Sequence, residues 1–340
     1  MEKDMTMRSS KPQRAVTIYD IARAAQVSPS TVSRALSQPG RLNARTEERI
    51  RATALELNYQ LNPIARALPT GRTGMLGVLV TDLTNPMFFE LVRGADRAAA
   101  DAGNTMMLSE SQESPERELA TARRMLPAID GLILSSSRLS DAQIRELAVT
   151  KPVVVINRAV PGVASIVPDV APGISDCLGR LAAAGHTRIA FVPGPTGSWM
   201  SATRAAKIAR VAGALGLDLV TLSATEPTLV GGASRAGEVL AAGASAVLAY
   251  NDLIAIGLMR AAQTRGLTVP ADLSIIGFDN IFGADLTSPE LTTIATPLLE
   301  LGGRAVGELL GLIAEPGRAD DTGAERHGAT KLIVRGSARL

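Results

Sequence analysis

Residues 17–36 read Thr-Ile-Tyr-Asp-Ile-Ala-Arg-Ala-Ala-Gln-Val-Ser-Pro-Ser-Thr-Val-Ser-Arg-Ala-Leu, a stretch that holds two successive helix starts. Thr17 and Asp20 match the Ser/Thr-x-x-acid start of a helix, after which Ile21, Ala22 and Ala25 fall on one face. Ser28 is then a second cap, Pro29 takes the first helical position, and Val32 and Leu36 are spaced by four. Two short helices joined by a tight turn form a helix-turn-helix. Its second helix offers Ser30, Thr31, Ser33, Arg34 and Ser37, all small or polar apart from one long forked cation. Such a face suits the major groove, where an arginine grips guanine O6 and N7 and hydroxyls bind phosphates or base edges. A third amphipathic helix, roughly 44–58 with Ile50, Ala54 and Leu57 inward, closes a three-helix core.

Outward from this stretch the charge is lopsided. Residues 1–72 hold 12 Lys and Arg against 6 Asp and Glu, whereas residues 73–340 hold 23 against 27. A small basic piece ahead of a large, mildly acidic one points to a nucleic-acid reader fused to something else. Residues 1–14, charged and without hydrophobic period, read as a disordered tail. The 340 residues exceed one ordinary domain, 46% hydrophobic content is ample for a core, and 3% aromatics make that core aliphatic. One cysteine excludes a disulfide framework and a cysteine-built zinc site. No stretch approaches a membrane span and no apolar signal core leads the chain, so the expectation is a soluble cytoplasmic protein.

Between the two pieces lies Asn62-Pro-Ile-Ala-Arg-Ala-Leu68. Asn62 is a cap, Pro63 the first helical residue, and Pro69 disfavours helix at Leu68, which leaves a turn or two. Helices that short are marginal alone in water. The segment therefore reads as an element that folds only when something holds it.

Thr17 to Ala22, Val27-Ser28, Thr31 to Leu36, Leu57-Asn-Tyr59, and Asn62 with Ala65 to Leu68 together resemble the headpiece and hinge of the LacI/GalR transcriptional regulators. The resemblance implies DNA contacts from Thr17, Tyr19, Ser28, Pro29, Ser30, Thr31, Ser33, Arg34, Arg41 and Tyr59, and from Asn62, Ala65 and Leu68 of the hinge. It implies a dimer on a pseudo-palindromic operator in double-stranded DNA, with paired hinge helices in the minor groove and Leu68 wedged between base pairs. Two departures stand out. Gln26 occupies the turn position that usually holds glycine, and Leu61 stands where a proline usually precedes the hinge.

Beyond residue 73 apolar runs alternate with helical stretches. Strands are expected at 75–80, 105–108, 131–134, 153–156, 189–192, 246–249 and 274–277, with helices such as 87–102 and 115–126 between them. This pattern predicts parallel sheets covered on both faces and, at this length, two lobes. Ligands of open parallel sheets bind beyond the carboxyl ends of the strands. Asp82 to Pro86, Asn157-Arg158, Pro193 to Gly197, Asn251-Asp252 and Asp279-Asn280 occupy such loops. Amides and carboxylates that converge on a cleft suit the hydroxyls of a sugar.

Val153 to Arg158, Gly185 to Val192, Asn251 to Gly257, Val269 to Asn280 and Leu332 to Ser337 resemble the type I periplasmic sugar-binding fold used as the sensor of the same family. That resemblance implies effector contacts from Phe88, Asn157, Asp169, Ser198, Met200, Arg204, Asn251 and Asp279. Ser198 and Met200 stand where purine-binding relatives carry arginine and threonine, so a sugar or sugar acid is the expected effector. Arg204→Ala is accordingly expected to abolish the effector response and spare operator binding.

The expected organisation is thus an all-α headpiece over 15–60, a hinge helix and linker over 61–72, and a two-lobed α/β effector-binding and dimerisation domain over 73–340. Lobe one would take about 73–169 and 298–322, lobe two about 170–297 and 323–340. No catalytic set, metal site or cofactor motif stands out: His186 and His327 are far apart, Cys177 has no activating neighbour, and Gly194 to Gly197 is no phosphate loop. A regulator, most simply a repressor, is expected rather than an enzyme. The rival reading, a transport-type sugar-binding protein, would need a secretion signal and no basic headpiece.

Overall fold

The computed structural model describes residues 16–37, 40–59, 72–315 and 325–340. The hinge positions Asn62, Ala65 and Leu68 and the tail over 1–14 lie outside the described residues. The chain divides into two compact units, Met1–Thr73 and Gly74–Leu340.

In the first unit α1 (Ile18–Ala24), α2 (Pro29–Ser37) and α3 (Ala44–Glu56) pack on one core of Ile21, Ala22, Ala25, Val32, Ala35, Ile50 and Ala54. The Thr17 N–H and hydroxyl both donate to Asp20, at 2.9 and 2.7 Å, and fix the start of α1. Asn43 caps α3 by accepting from the Arg45 N–H. The inward positions of α2 are Val32 and Ala35, with Leu36 only half-buried. Gln26 sits in the turn at φ +53° and is exposed.

The second unit carries two sheets. Its strands are β1 (Met75–Val80), β2 (Thr105–Glu110), β3 (Gly131–Ser135), β4 (Val153–Ile156), β5 (Ala164–Asp169), β6 (Arg188–Val192), β7 (Asp218–Thr221), β8 (Ala246–Ala249), β9 (Ser274–Asp279), β10 (Thr292–Ala295), β11 (Glu325–Ala329) and β12 (Lys331–Ile333). The helices are α4 (Met87–Asp101), α5 (Pro115–Met125), α6 (Asp141–Thr150), α7 (Ala171–Ala183), α8 (Trp199–Ala214), α9 (Leu229–Ser234), α10 (Ala236–Ala241), α11 (Asp252–Thr264) and α12 (Leu298–Ala314). Lobe one holds the sheet β11-β5-β4-β3-β1-β2, all parallel, and lobe two the sheet β12-β10-β9-β8-β6-β7, parallel except for β12. Apolar side chains on both faces of each sheet meet covering helices, as expected of parallel sheets.

The chain crosses between lobes after Asp169, at Thr296-Pro297 and at Thr330. The last crossing corrects the expected boundary near 322, since β11 pairs with β5 in lobe one. The sequence of β11 is too polar to read as a strand. Two crossings are tied together, the Thr330 N–H and hydroxyl both donating to the Asp169 carbonyl, at 2.9 and 3.0 Å.

Helix α12 returns from lobe two to lie along α4. A methyl on Gly94 would fall 2.0 Å from the Leu299 carbonyl oxygen and one on Gly302 2.0 Å from that of Leu91, so glycine alone permits this approach. The C-terminal segment laces the edge of lobe two: Ser337 donates to the Ile275 carbonyl, and His186 Nε2–H donates to the Arg339 carbonyl at 3.1 Å. His186 Nδ1 faces the Ser245 hydroxyl at 2.7 Å. Cys177 is fully buried in the lobe-two core, and burial pushes its thiol up to about 12, so it remains an inert thiol.

Two outcomes follow. Gln26→Gly should stabilise the headpiece by about 1 kcal/mol, because a left-handed residue loses its side-chain clash, as read by urea unfolding of residues 16–59. Burial lowers the His186 pKa, so the neutral ring belongs to the fold; its contribution is present above about pH 6.5 and is lost as pH falls. Melting temperatures between pH 8 and 5 should therefore fall less steeply in His186→Gln than in the natural chain.

Candidate functional site

The carboxyl ends of both sheets face one another across a cleft, and backbone geometry marks the loops there. Gln112, Glu113, Ser136, Asn157, Asp279 and Asn280 all have positive φ, and they follow β2, β3, β4 and β9. Among the described residues, the other non-glycine examples, Gln26 and Asn58, belong to the headpiece. Left-handed backbone at such residues costs of order 1–3 kcal/mol each and persists where surrounding structure imposes it, as around ligand sites.

The deepest polar feature belongs to lobe two. Arg204, 3% exposed on α8, donates from Nη2 to Asp279 Oδ1 at 2.7 Å and from Nη1 to the Tyr250 carbonyl. Its guanidinium lies 3.6 Å from the centre of the Phe278 ring and 5.0 Å from that of Tyr250. Gly194 lets Tyr250 take this place, since a methyl there would fall 2.4 Å from the ring. The Tyr250 hydroxyl meets Ser198 Oγ at 3.1 Å, and Ser198 also caps α8 by accepting from the Ser201 N–H. Asp279 accepts a further bond from the Thr296 hydroxyl at 3.3 Å, which joins the site to a lobe crossing.

Asp252 lies just behind. It accepts from the Thr293 hydroxyl at 2.6 Å and the Ile281 N–H at 2.8 Å. Burial pushes its carboxyl up to about 7, with nearby Asp279 acting in the same direction.

Other residues singled out by the sequence are placed differently. Asn251 turns both ends of its amide to the protein, accepting from the Ile254 N–H at 2.9 Å and donating to the Pro227 carbonyl at 3.0 Å. Asn157 donates to the Ser136 hydroxyl at 3.2 Å, so the two left-handed residues brace each other. Phe88 and Met200 are buried in the cores of lobes one and two. Asp169 sits on a crossing and accepts from the Ala171 N–H. Arg204, Asp279 and Ser198 thus come together, joined by Tyr250, Phe278 and Thr296, which sequence reasoning missed. Tyr250 was within reach, because it immediately precedes a loop already recognised.

A cleft of about 610 Å³ opens between the lobes, lined by Asp82, Glu113 and Arg138 of lobe one and Pro195, Gly197 and Glu226 of lobe two. Arg138 and Glu113 follow β3 and β2, whose loops the sequence reading passed over. A second groove, of about 640 Å³, reaches Asp279 and Thr296 past Phe89 and Phe282.

In the headpiece, Pro29, Ser30 and Arg34 are exposed, with Thr31 and Ser33 half-buried on the same helix. Ser28 is exposed and bonds the hydroxyls of Ser30 and Thr31, at 2.8 and 2.7 Å. Tyr19 is 69% exposed and Arg41 is open to solvent, whereas Thr17 is engaged by Asp20 and Tyr59 is half-buried against the core.

A helix-turn-helix with an exposed arginine, joined in one chain to a two-lobed cleft, defines a ligand-responsive DNA-binding regulator. Residues 17–62 match the family described as bacterial regulatory proteins, lacI family, and residues 178–338 match a periplasmic binding protein-like domain. The HTH-type transcriptional repressor CytR of Escherichia coli (strain K12) is 31% identical over 98% of this chain and 99% of its own. The regulator DegA of Bacillus subtilis is 32% identical over 84% and 88%. The Lac repressor dimer bound to operator and the anti-inducer ONPF superposes with a TM-score of 0.84 at 26% identity, covering 96% of this chain and 100% of that one. The chain belongs to the LacI family and is a transcriptional regulator rather than an enzyme. No described helix is long and apolar enough to cross a membrane.

The buried pair alters one expectation. Removing Arg204 leaves Asp279 an uncompensated buried charge, so Arg204→Met should destabilise the second unit by about 3–5 kcal/mol besides affecting the effector response. Arg204→Met combined with Asp279→Leu should recover most of that loss in denaturant unfolding.

Proposed function

We propose that the chain is a cytoplasmic repressor that binds a pseudo-palindromic operator as a homodimer and is controlled by a carbohydrate held between the lobes of its sensor. The observation that carries the effector reading is the Arg204–Asp279 pair at the carboxyl ends of the lobe-two strands, with the Ser198 and Tyr250 hydroxyls beside it. Paired donors and acceptors on an aromatic floor suit a ring bearing several hydroxyls. A LacI family regulator from Enterococcus faecium, 28% identical with a TM-score of 0.67 over 78% of this chain and 98% of that one, was solved with bound ribose, which supports the class.

For DNA, Pro29, Ser30 and Arg34 set the half-site choice, and Tyr19 and Arg41 reach the backbone. Asn62 to Leu68 supplies a hinge that orders against bent duplex, Leu68 entering a base step from each protomer. Exposed Phe282 and Leu286, at 77% and 73%, offer apolar surface for pairing two copies.

A thermal-shift screen of residues 73–340 against sugars, sugar acids and nucleobases tests the effector class, and selection from random duplexes tests operator reading. A sensor stabilised only by nucleobases, or a chain without preference for any palindrome, would end this reading. Leu68→Ser should weaken operator binding strongly, by about tenfold or more, with dimerisation and effector affinity unchanged in sedimentation and calorimetry.

A further inference from the structure

The mouth of the cleft holds a second guanidinium–carboxylate pair, contributed by lobe one. Arg138 donates from Nε to Glu113 Oε2 at 2.7 Å and from Nη1 to the Ser136 carbonyl at 2.8 Å. Its backbone N–H donates to buried Glu118 at 2.8 Å, so the loop is held independently of the side chain. The Arg138 side chain is 7% exposed and that of Glu113 29%. Glu113, its neighbour Gln112, and Ser136 are three of the positive-φ residues, so unusual backbone is maintained on both sides of this pair.

Gly197 of lobe two lies opposite, where a methyl would stand 3.9 Å from Arg138 Cδ. The next residue, Ser198, meets the Tyr250 hydroxyl, and the Tyr250 carbonyl receives Arg204. A chain of contacts therefore runs from the Arg138–Glu113 pair of lobe one, by way of Gly197, Ser198 and Tyr250, to Arg204–Asp279 of lobe two. Each guanidinium along it is already matched to a protein carboxylate, and Arg158 near by is matched to Asp141 at 2.5 Å. The further charges lining the mouth, Asp82 and exposed Glu226, are acidic.

We propose that Arg138 and Glu113 are a specificity-determining pair that admits an uncharged polyhydroxy ligand and rejects its carboxylate analogue, an inference that rests on the carbohydrate reading of the cleft. A hydroxyl donates to the free oxygen of Glu113 and accepts from Arg138 without parting them. A ligand carboxylate has to draw Arg138 away, which leaves Glu113 charged, poorly solvated and beside Asp82 and Glu226. Of the sugar and sugar-acid classes the sequence left open, the pair selects the first.

Calorimetry on the full chain with matched probes, glucose and glucuronate, galactose and galacturonate, ribose and ribonate, tests this. The neutral member of the responding pair should bind at least about tenfold more tightly. Glu113→Gln preserves shape and the acceptor for Arg138 but removes the charge, and should move the ratio toward the acid by about tenfold. Arg138→Met should weaken the neutral probe; the backbone bond to Glu118 keeps the loop in place, while the melting temperature falls because Glu113 loses its partner. Equal or tighter binding of the acid, or a ratio that Glu113→Gln leaves unmoved, overturns the selectivity while the carbohydrate site stands. Binding by no probe of any pair overturns the selectivity and the carbohydrate site together.

Discussion

A guanidinium and a carboxylate almost without solvent, Arg204 and Asp279, set the terms for the sensor. Neither can be buried alone, because an isolated charge in a low-dielectric interior costs several kcal/mol even after relaxation. Their pairing explains what surrounds them. Phe278 and Tyr250 flank the cation with ring faces, the Tyr250 carbonyl takes one of its N–H groups, and Thr296 donates to the carboxylate. Asp252 is the neighbour that the pair makes difficult. Its two hydrogen bonds favour the anion, but burial and the charge of Asp279 oppose it, and the carboxyl titrates near neutrality.

Much of the fold was legible because buried parallel strands are short apolar runs. Val153–Ile156 and Ala246–Ala249 lie in the sheet interiors, and their bounds could be read from four aliphatic or small residues in a row. Three strands at or near the edges gave no such signal, although the edge strand β2 did. Asp218–Thr221 and Lys331–Ile333 are only partly covered, so selection for continuous hydrophobicity is relaxed there, and β5 interrupts its run with a proline and an aspartate. The course of β11 could not be foreseen, since backbone pairing with β5, and not an apolar pattern, assigns it to lobe one. In the headpiece the caps and spacing located all three helices, and the left-handed Gln26 stands where the family pattern has glycine.

The site was legible to a different degree, for a physical reason. A carboxyl-end loop can be found from strand order, but whether its polar residue faces a ligand or its own backbone depends on backbone angles that sequence does not display. Asn251 and Asn157 sit in the expected loops, yet hydrogen bonds engage one as a helix cap and the other as a brace. Arg138 and Glu113 were passed over because they belong to no periodic pattern. They meet only because residues 112, 113 and 136 adopt positive φ, and Gln, Glu and Ser give no warning of it.

The same geometry indicates how occupancy of the cleft could reach the rest of the chain. Asp279 is bonded to Thr296, the residue at which the chain leaves lobe two and enters α12, and α12 packs against α4 as closely as paired glycines allow. Asp279 is thereby linked, through Thr296, to a closely packed helix pair. Turning a 1:99 population into 99:1 needs about 5.5 kcal/mol of preference between two states. Hydrogen bonds to charged groups contribute about 1.5–3 kcal/mol each. Two or three such bonds that form only when both lobes approach one ligand meet that requirement, and each lobe carries one charged pair. Because either pair alone would hold a ligand equally well with the lobes apart, a ligand couples to lobe closure only where it engages a pair from each lobe.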